Sequence, residues 1–201
     1  MDTFKITIAG VGGQGTLLAS RLIAQSAIDS DLPVIIGETY GMAQRGGPVM
    51  GHIQIGGDAI SPQIRPGEAD VLLGFEIGEA VRRGVTYLKK GGLAIINTKK
   101  LPPVEVISGM MKYPQEDNLL EILGKITDKI IAFDATKLAE KAGDAVATNV
   151  IILGALTASG LLPFNEETIL NTIKQSLRPE FHELNIKALN LGASEYHKLQ
   201  K

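Results

Sequence analysis

Residues 6–20 constrain the fold more than any other part of this sequence. They open with β-branched residues, which suit a strand, and then break into a glycine-rich turn with the spacing G-x-G-x-x-G, formed by Gly10, Gly12 and Gly15. Apolar residues then recur at intervals of three and four, which predicts a helix ending near Ser30. A strand, a glycine turn and a helix in this order predict the first unit of a doubly wound α/β sheet.

The same turn is a candidate binding site for an anion. Glycines let a bound group approach the backbone, and the first turn of the helix directs unpaired N–H groups and the positive end of the helix dipole at the loop. The candidate cofactor-binding residues are therefore Gly10, Gly12, Gly13, Gln14, Gly15 and Thr16. The alternative is a glycine-rich turn that only allows the strand and the helix to pack closely.

Short apolar runs separated by turn residues predict the remaining strands, at residues 34–36, 49–55, 70–75, 93–97 and 129–133. Residues 49–55 alternate strictly between apolar and more polar positions, which predicts a half-exposed antiparallel strand that forms a hairpin with residues 59–62. His52 is expected on its more polar face. The predicted fold is α/β: a Rossmann-like doubly wound, mostly parallel sheet with helices on both faces and an inserted β-hairpin, in a single domain over residues 1–201.

Helical patterns occupy much of the C-terminal half. Residues 149–156 are apolar nearly all round, which predicts a buried helix, and Thr148 is expected to cap its first turn by accepting an N–H. Residues 165–176 and 179–196 predict two further amphipathic helices.

A second candidate site lies in residues 38–47, ETYGMAQRGG, at the predicted end of the second strand, where open α/β sheets place ligands. The guanidinium of Arg45 suits a carboxylate or phosphate, and Glu38 stands where a dinucleotide-binding fold carries its ribose-binding acid. The candidate ligand or partner residues are Glu38, Met42, Gln44, Arg45, Gly46 and Gly47. A surface loop in which Arg45 pairs with Glu38 is the alternative.

Composition excludes several classes of function. The 201 residues carry a net charge of -2, no cysteine and three scattered histidines, so we expect no nucleic-acid site, no metal site, no disulfide and no cysteine-held cluster. No apolar run of about 18 residues predicts a membrane span, and no signal peptide precedes the first strand, so a cytoplasmic location is expected. No residue is assigned as catalytic.

Three segments together carry a family resemblance: AGVGGQG, ETYGMAQRGGPV and TNVIILGAL. In this order and spacing they resemble the gamma subunit of 2-oxoacid:ferredoxin oxidoreductases, from about Ile6 to Leu191. The resemblance implies an enzyme that oxidatively decarboxylates pyruvate, 2-oxoglutarate, a branched-chain 2-oxoacid or indolepyruvate. The glutamate with GMAQRGG resembles especially the indolepyruvate and 2-oxoglutarate members.

The resemblance also implies partners and cofactors outside this chain. Thiamine diphosphate would lie between alpha- and beta-type subunits, and [4Fe-4S] clusters would belong to those subunits or to a ferredoxin-like delta subunit. Ferredoxin would accept the electrons, and coenzyme A would take the acyl group as co-substrate. This chain would be inactive alone, would line the active site and contact a phosphate of coenzyme A through the glycine loop, and would self-associate when isolated.

Two other classes remain open on the residues alone. A stand-alone NAD-dependent oxidoreductase would use the loop from Gly10 to Gly15 together with Glu38, although the sequence has no Tyr-x-x-x-Lys pair. A scaffold that binds only protein is the non-enzymatic possibility.

Overall fold

The computed structural model describes residues 2–41, 46–57 and 59–200. In these ranges, six strands are present: β1 (Phe4–Val11), β2 (Val34–Tyr40), β3 (Pro48–Ile55), β4 (Ala69–Gly74), β5 (Leu88–Asn97) and β6 (Ile130–Phe133). The same ranges contain the helices α1 (Thr16–Ile28), α2 (Ile77–Tyr87), α3 (Val104–Ile107), α4 (Glu116–Gly124), α5 (Ala135–Ala142), α6 (Thr148–Ala158), α7 (Glu166–Ser176) and α8 (His182–Leu199).

The strands form one sheet in the order β2-β3-β1-β4-β5-β6. β1, β4, β5 and β6 are successive parallel neighbours, whereas β3 pairs antiparallel with both β1 and β2. The α/β fold with a mostly parallel sheet is therefore confirmed.

The prediction that β3 forms a hairpin with residues 59–62 was wrong. The hairpin consists of β2 and β3, and residues 59–62 form no strand. Consequently β3 separates β2 from β1, and these two strands run in the same direction without being neighbours. The alternation of apolar and polar residues indicates which face of the sheet each side chain occupies, but not which strand pairs with β3. The same pattern therefore fits pairing with residues 59–62 and pairing with β2.

β3 is buried on both faces rather than half-exposed. Ile53 and Ile55 pack into the core beside α1, while Met50 on the opposite face packs with Ile64 and Tyr87. The chain that follows β3 packs closely on the face of the sheet that carries Met50. A Cβ added at Gly37, in the neighbouring strand β2, would lie 2.6 Å from the Pro62 carbonyl oxygen. The predicted polar exposure therefore fails because a neighbouring segment covers the strand.

Helices cover both faces of the sheet, as predicted. One core joins α1, α6, α7 and α8 to the sheet, and the other joins α2 and α4 to it. α6 and α8 approach backbone to backbone, because a Cβ at Gly154 would lie 2.0 Å from the Leu189 carbonyl oxygen and one at Gly192 would lie 1.9 Å from that of Ile151. Across the described ranges, no helix is both long and apolar enough to cross a bilayer.

The predicted cap of α6 was wrong. Thr148 is the first residue of the helix, and its hydroxyl donates to the Ala145 carbonyl at 2.7 Å instead of accepting an N–H. A short 3-10 turn, Ala145–Ala147, runs directly into α6, and Asp144 caps that turn by accepting the Val146 N–H at 2.9 Å. The cap therefore stands one turn earlier than the apolar pattern suggested.

Candidate functional site

The glycine loop connects β1 to α1 at the carboxyl edge of the parallel strands. Gly13 has a φ of +102° and Gly15 a φ of +76°, in the left-handed region that favours glycine. A Cβ at Gly10 would lie 2.8 Å from the Cβ of Phe75, and one at Gly15 would lie 2.9 Å from Nδ2 of Asn149. Gly10 is therefore required by packing, and Gly15 by both conformation and packing.

Gln14 closes the loop with its own side chain. Its Oε1 accepts the Val11 N–H at 2.8 Å, and its Nε2 donates to the Phe75 carbonyl at 2.8 Å. The amide thus links the ends of β1 and β4. A side chain engaged at both ends fixes the loop's shape and is not available as a flexible ligand-binding group.

Several N–H groups of the loop are left over. Among the described residues, the N–H groups of Gly13, Gly15 and Thr16 have no hydrogen-bond acceptor. They belong to the turn that precedes α1 and to its first residue, where the helix dipole favours negative charge. This is the backbone arrangement expected for binding an anion.

A cleft of about 280 Å³ opens beside the loop. Its walls come from the ends of several elements: the start of α1, the chain after β5, the first turn of α5 and the start of α6. The lining residues are Gly13, Gln14, Gly15, Leu18, Lys99, Leu101, Thr136, Ala145, Val146, Thr148 and Asn149. Lys99 is the cation among the described residues of this lining, so the cleft combines a positive charge with the N–H groups of the loop.

Asn97, the last residue of β5, connects these elements through the hydrogen bonds of its side chain. It is fully buried; its Nδ2 donates to the Phe75 carbonyl and to Oγ1 of Thr136, each at 3.1 Å. Its Oδ1 accepts the N–H groups of Lys99 at 3.2 Å and Ala135 at 3.0 Å. One amide therefore positions the ends of β4 and β5 and the start of α5 around the cleft.

Four residues of this site were not predicted from the sequence: Asn97, Lys99, Thr136 and Asn149. Two features could have indicated the first three: each follows or ends a predicted strand, and the carboxyl ends of parallel strands meet at one edge of the sheet. Asn149 carried no comparable signal, since it begins a helix whose pattern is almost entirely apolar.

Of the second group of predicted residues, Gly46 and Gly47 form hydrogen bonds with the glycine loop. The Gly12 N–H donates to the Gly47 carbonyl at 2.9 Å, and the Gly46 N–H donates to the Gly12 carbonyl at 3.4 Å. Glu38 lies within β2 opposite Gly51 of β3, so β3 stands between it and β1. Three further predicted residues lie outside the described residues: Met42, Gln44 and Arg45.

His52 lies inside the molecule and not in the cleft. The residue is 2% exposed; its ring meets the Tyr87 ring edge-on at 4.8 Å between centroids and places Nδ1 3.5 Å from Oγ1 of Thr7. Its Nε2 is buried without a hydrogen-bond partner among the described residues. Burial, with a smaller contribution from the positive charge of Arg83, lowers the pKa of His52 to about 4, so the ring is neutral at neutral pH.

A buried carboxylate also stands at this edge of the sheet. Glu76, which is 3% exposed, caps α2 by accepting the Glu79 N–H at 2.9 Å. It also accepts the Leu101 N–H at 3.4 Å and the Tyr113 hydroxyl, which in turn accepts the Gly78 N–H at 3.1 Å. Burial, followed by the hydrogen bond to Glu76, raises the pKa of Tyr113 far above its usual value, so this hydroxyl remains a donor.

The mostly parallel sheet, the glycine loop and the cleft at the carboxyl edge define an α/β domain with a candidate ligand site, distinguished from the dinucleotide-binding arrangement by β3 between β2 and β1. Residues 5–195 match the pyruvate ferredoxin/flavodoxin oxidoreductase family, and the chain belongs to that family. The resemblance predicted from the three sequence segments is thereby confirmed. The chain is an oxidoreductase subunit of this family.

Curated relatives span nearly the whole chain. The indolepyruvate oxidoreductase subunit IorB of Archaeoglobus fulgidus is 41% identical over 95% of this chain and 94% of its own length. In Thermococcus kodakarensis, IorB is 41% identical over 96% of this chain and 95% of its own length. The pyruvate/ketoisovalerate oxidoreductases common subunit gamma of the same organism is 30% identical over 92% of each chain.

Solved structures share the fold at lower identity. The pyruvate oxidoreductase subunit PORC of Thermotoga maritima is 24% identical, with a TM-score of 0.72 over 96% of this chain and 97% of its own. The 2-oxoglutarate:ferredoxin oxidoreductase of Magnetococcus marinus, with 2-oxoglutarate, coenzyme A and succinyl-CoA bound, is 20% identical, with a TM-score of 0.72 over 98% of this chain and 32% of its own.

Proposed function

We propose that this chain is the gamma-type subunit of an indolepyruvate-type oxidoreductase, which converts an aromatic 2-oxoacid, coenzyme A and oxidised ferredoxin into an acyl-CoA, CO₂ and reduced ferredoxin. The observation that carries the choice of substrate comes from one organism. In Thermococcus kodakarensis, IorB is 41% identical to this chain and the pyruvate/ketoisovalerate gamma subunit 30%. Because both relatives come from the same organism, the difference between the two identities reflects the type of subunit and not the organism.

The residues of this chain support a division of labour with partner subunits. A sequence without cysteine cannot supply the thiolates that hold iron–sulfur clusters, so those clusters and the thiamine diphosphate belong to partners under this proposal. Among the described residues, the cleft lining contains a lysine, hydroxyls, amides and apolar groups, but no carboxylate or imidazole for acid–base chemistry. The chain's own contribution is to bind and orient the co-substrate.

The cleft fits one anionic group of coenzyme A. The N–H groups of Gly13, Gly15 and Thr16 would bind phosphate oxygens, and Lys99 would neutralise their charge. Gln14 would hold the loop in the binding shape from the side that faces β4. The predicted group of Gly46 and Gly47 would extend the site along the edge of β1, because Gly12 bonds to both.

A stand-alone NAD-dependent oxidoreductase is less well supported. In the dinucleotide-binding fold the acid on the second strand reaches a ribose bound at the first, and the two strands are neighbours. Here β3 lies between them and moves Glu38 about 5 Å further from the loop, the width of one strand. NADH titration of the isolated chain tests this alternative, which requires saturable binding.

The oxidoreductase proposal is tested by anaerobic purification of the tagged chain from its own source. We expect co-purification with larger subunits that absorb visible light through iron–sulfur clusters and contain thiamine diphosphate. The complex should reduce ferredoxin with indolepyruvate, dependent on coenzyme A, faster than with pyruvate, 2-oxoglutarate or ketoisovalerate. A colourless single-chain species would refute the proposal, and preference for pyruvate would refute the choice of substrate.

The coenzyme A site is tested in the assembled complex by Lys99→Met. We expect KM for coenzyme A to rise at least about 10-fold, since a charge-assisted hydrogen bond contributes roughly 1.5 kcal/mol or more, while KM for the 2-oxoacid stays unchanged. Lys137→Met is the matched control, because Lys137 follows the cleft-lining Thr136 but does not itself line the cleft. Equal effects of the two variants on coenzyme A would contradict the site.

A further inference from the structure

A segment beside the cleft exposes a cluster of apolar side chains. Residues 99–113, called the 99–113 segment below, include five that are between 42% and 79% exposed: Leu101, Val104, Ile107, Met110 and Met111. The backbone of the segment is ordered by its own hydrogen bonds, among them the Ser108 N–H to Val104 at 2.8 Å. The apolar side chains therefore project from a compact turn around α3.

Part of the exposed apolar surface also lines the cleft. Lys99 and Leu101 belong both to the segment and to the cleft lining, and Val146, 67% exposed, lines the cleft from the chain before α6. A partner that covered the segment would therefore also cover this side of the cleft. Contiguous exposed apolar surface with a polar border is typical of protein interaction sites.

The segment is held in place by the buried Glu76. One oxygen of this carboxylate accepts the Leu101 N–H near the start of the segment and the Tyr113 hydroxyl at its end. Nζ of Lys100 lies 5.9 Å from the centroid of the Tyr113 ring, which adds a cation–π contact. A single buried group thus joins both ends, and the apolar surface is preorganised before any partner arrives.

The charge of the segment indicates what covers it. Residues 99–113 contain three lysines and one glutamate, whereas the whole chain has a net charge of -2. A basic and apolar surface on an acidic chain suits a partner with an acidic border around an apolar patch, and it suits a second copy of this acidic chain less well because like net charges repel. Methionines at its tip adapt readily to a partner's shape.

We propose that the 99–113 segment docks the subunit that carries the reaction centre, through an acidic-bordered apolar patch on that subunit, and that this docking closes the cleft. The inference rests on the proposed function, in which the cleft holds one co-substrate and the reacting groups come from the partner. Docking and co-substrate binding share Lys99 and Leu101. The partner's affinity and the closure of the cleft are therefore coupled.

The test is the affinity of this chain for the separately purified catalytic subunit. The double variant Ile107→Asp, Met110→Asp places charge in the apolar surface, and we expect the dissociation constant to rise at least about 100-fold. Ile60→Asp is the matched control, because Ile60 is 92% exposed but lines the cavity near Lys5, at the opposite end of β1. The control should bind within about 2-fold of the natural chain.

A second variant tests the role of the buried carboxylate. Tyr113→Phe keeps the ring and removes the hydroxyl between Glu76 and Gly78, so amide exchange across the segment should accelerate and the dissociation constant should rise about 3- to 10-fold. Faster exchange with unchanged affinity would overturn the preorganisation of the docking surface.

The outcomes separate this inference from the proposed function. A natural chain that assembles with no oxidoreductase subunit refutes the proposed function. A natural chain that assembles, with a double variant that assembles equally well, refutes only the docking surface. If the isolated chain dimerises, and the double variant abolishes the dimer but not partner binding, the segment is a self-association surface and the proposal is overturned.

Discussion

Replacing the buried His52 tests how much this side chain lowers the free energy of unfolding of the protein in acid. The ring lies between Thr7 and Tyr87 under the chain that follows β3, and its pKa falls from 6.5 to about 4 because burial disfavours the charged form. His52→Gln keeps a polar side chain of similar size that stays neutral at every pH. The difference between the two proteins therefore isolates the protonation of this ring.

The magnitude follows from the lowered pKa. Above pH 6.5 the ring is neutral in both the folded and the unfolded chain, so its protonation contributes nothing. Between pH 6.5 and 4 the unfolded chain takes up a proton that the folded chain refuses, and the free energy of unfolding falls with pH. At about 1.4 kcal/mol per pH unit, the fall from 6.5 to about 4 amounts to roughly 3 kcal/mol at pH 4 and below.

Urea titrations at a series of pH values measure this difference. The free energy of unfolding of the natural chain, minus that of His52→Gln, should fall by roughly 3 kcal/mol between pH 7.5 and 4, while other acid-sensitive groups cancel. Arg83→Gln separates the causes: it removes the smaller electrostatic contribution and leaves burial, so only a minor part of the fall should disappear. A constant difference across this range would refute the burial argument.

Three further changes test the packing and the cleft scaffold. Gly192→Ala should destabilise by about 3 kcal/mol or more, because the new Cβ would lie 1.9 Å from the Ile151 carbonyl oxygen, whereas Gly124→Ala, with open space around it, should be neutral or slightly stabilising in thermal unfolding. Asn97→Ala should cost about 3 kcal/mol in urea titrations because it removes the acceptor of the buried Ala135 N–H and leaves a cavity in the interior. Asp134→Ala should cost about 1 kcal/mol, since its carboxylate caps α5, and an unchanged melting temperature would contradict this.

Some parts of the fold and the site follow from local patterns. The apolar run of β4 and the nearly all-apolar α6 were predicted because each depends on its own residues. The glycine loop was predicted for the same reason: Gly10, Gly12 and Gly15 stand close together in the sequence, and Gly15 takes a left-handed conformation that few other residues permit. Its placement between strand and helix depends only on adjacent residues.

Long-range pairing decided the rest. The pattern of residues 49–55 does not indicate that β3 lies between β1 and β2, or that the following chain covers its polar face. This pairing and this covering segment bury His52 and move Glu38 away from the loop. Likewise Lys99, Thr136 and Asn149 are far apart in sequence and meet in the cleft only because β5, α5 and α6 end or begin at one edge of the sheet.

The sequence by itself determined most of the secondary structure, the glycine loop and the family, because these depend on local periodicity and on motifs that keep their order along the chain. Only the tertiary structure decided the strand order, the protonation state of His52 and the composition of the cleft. These depend on which distant segments meet and exclude water, and that choice reflects the free energy of the whole packed molecule.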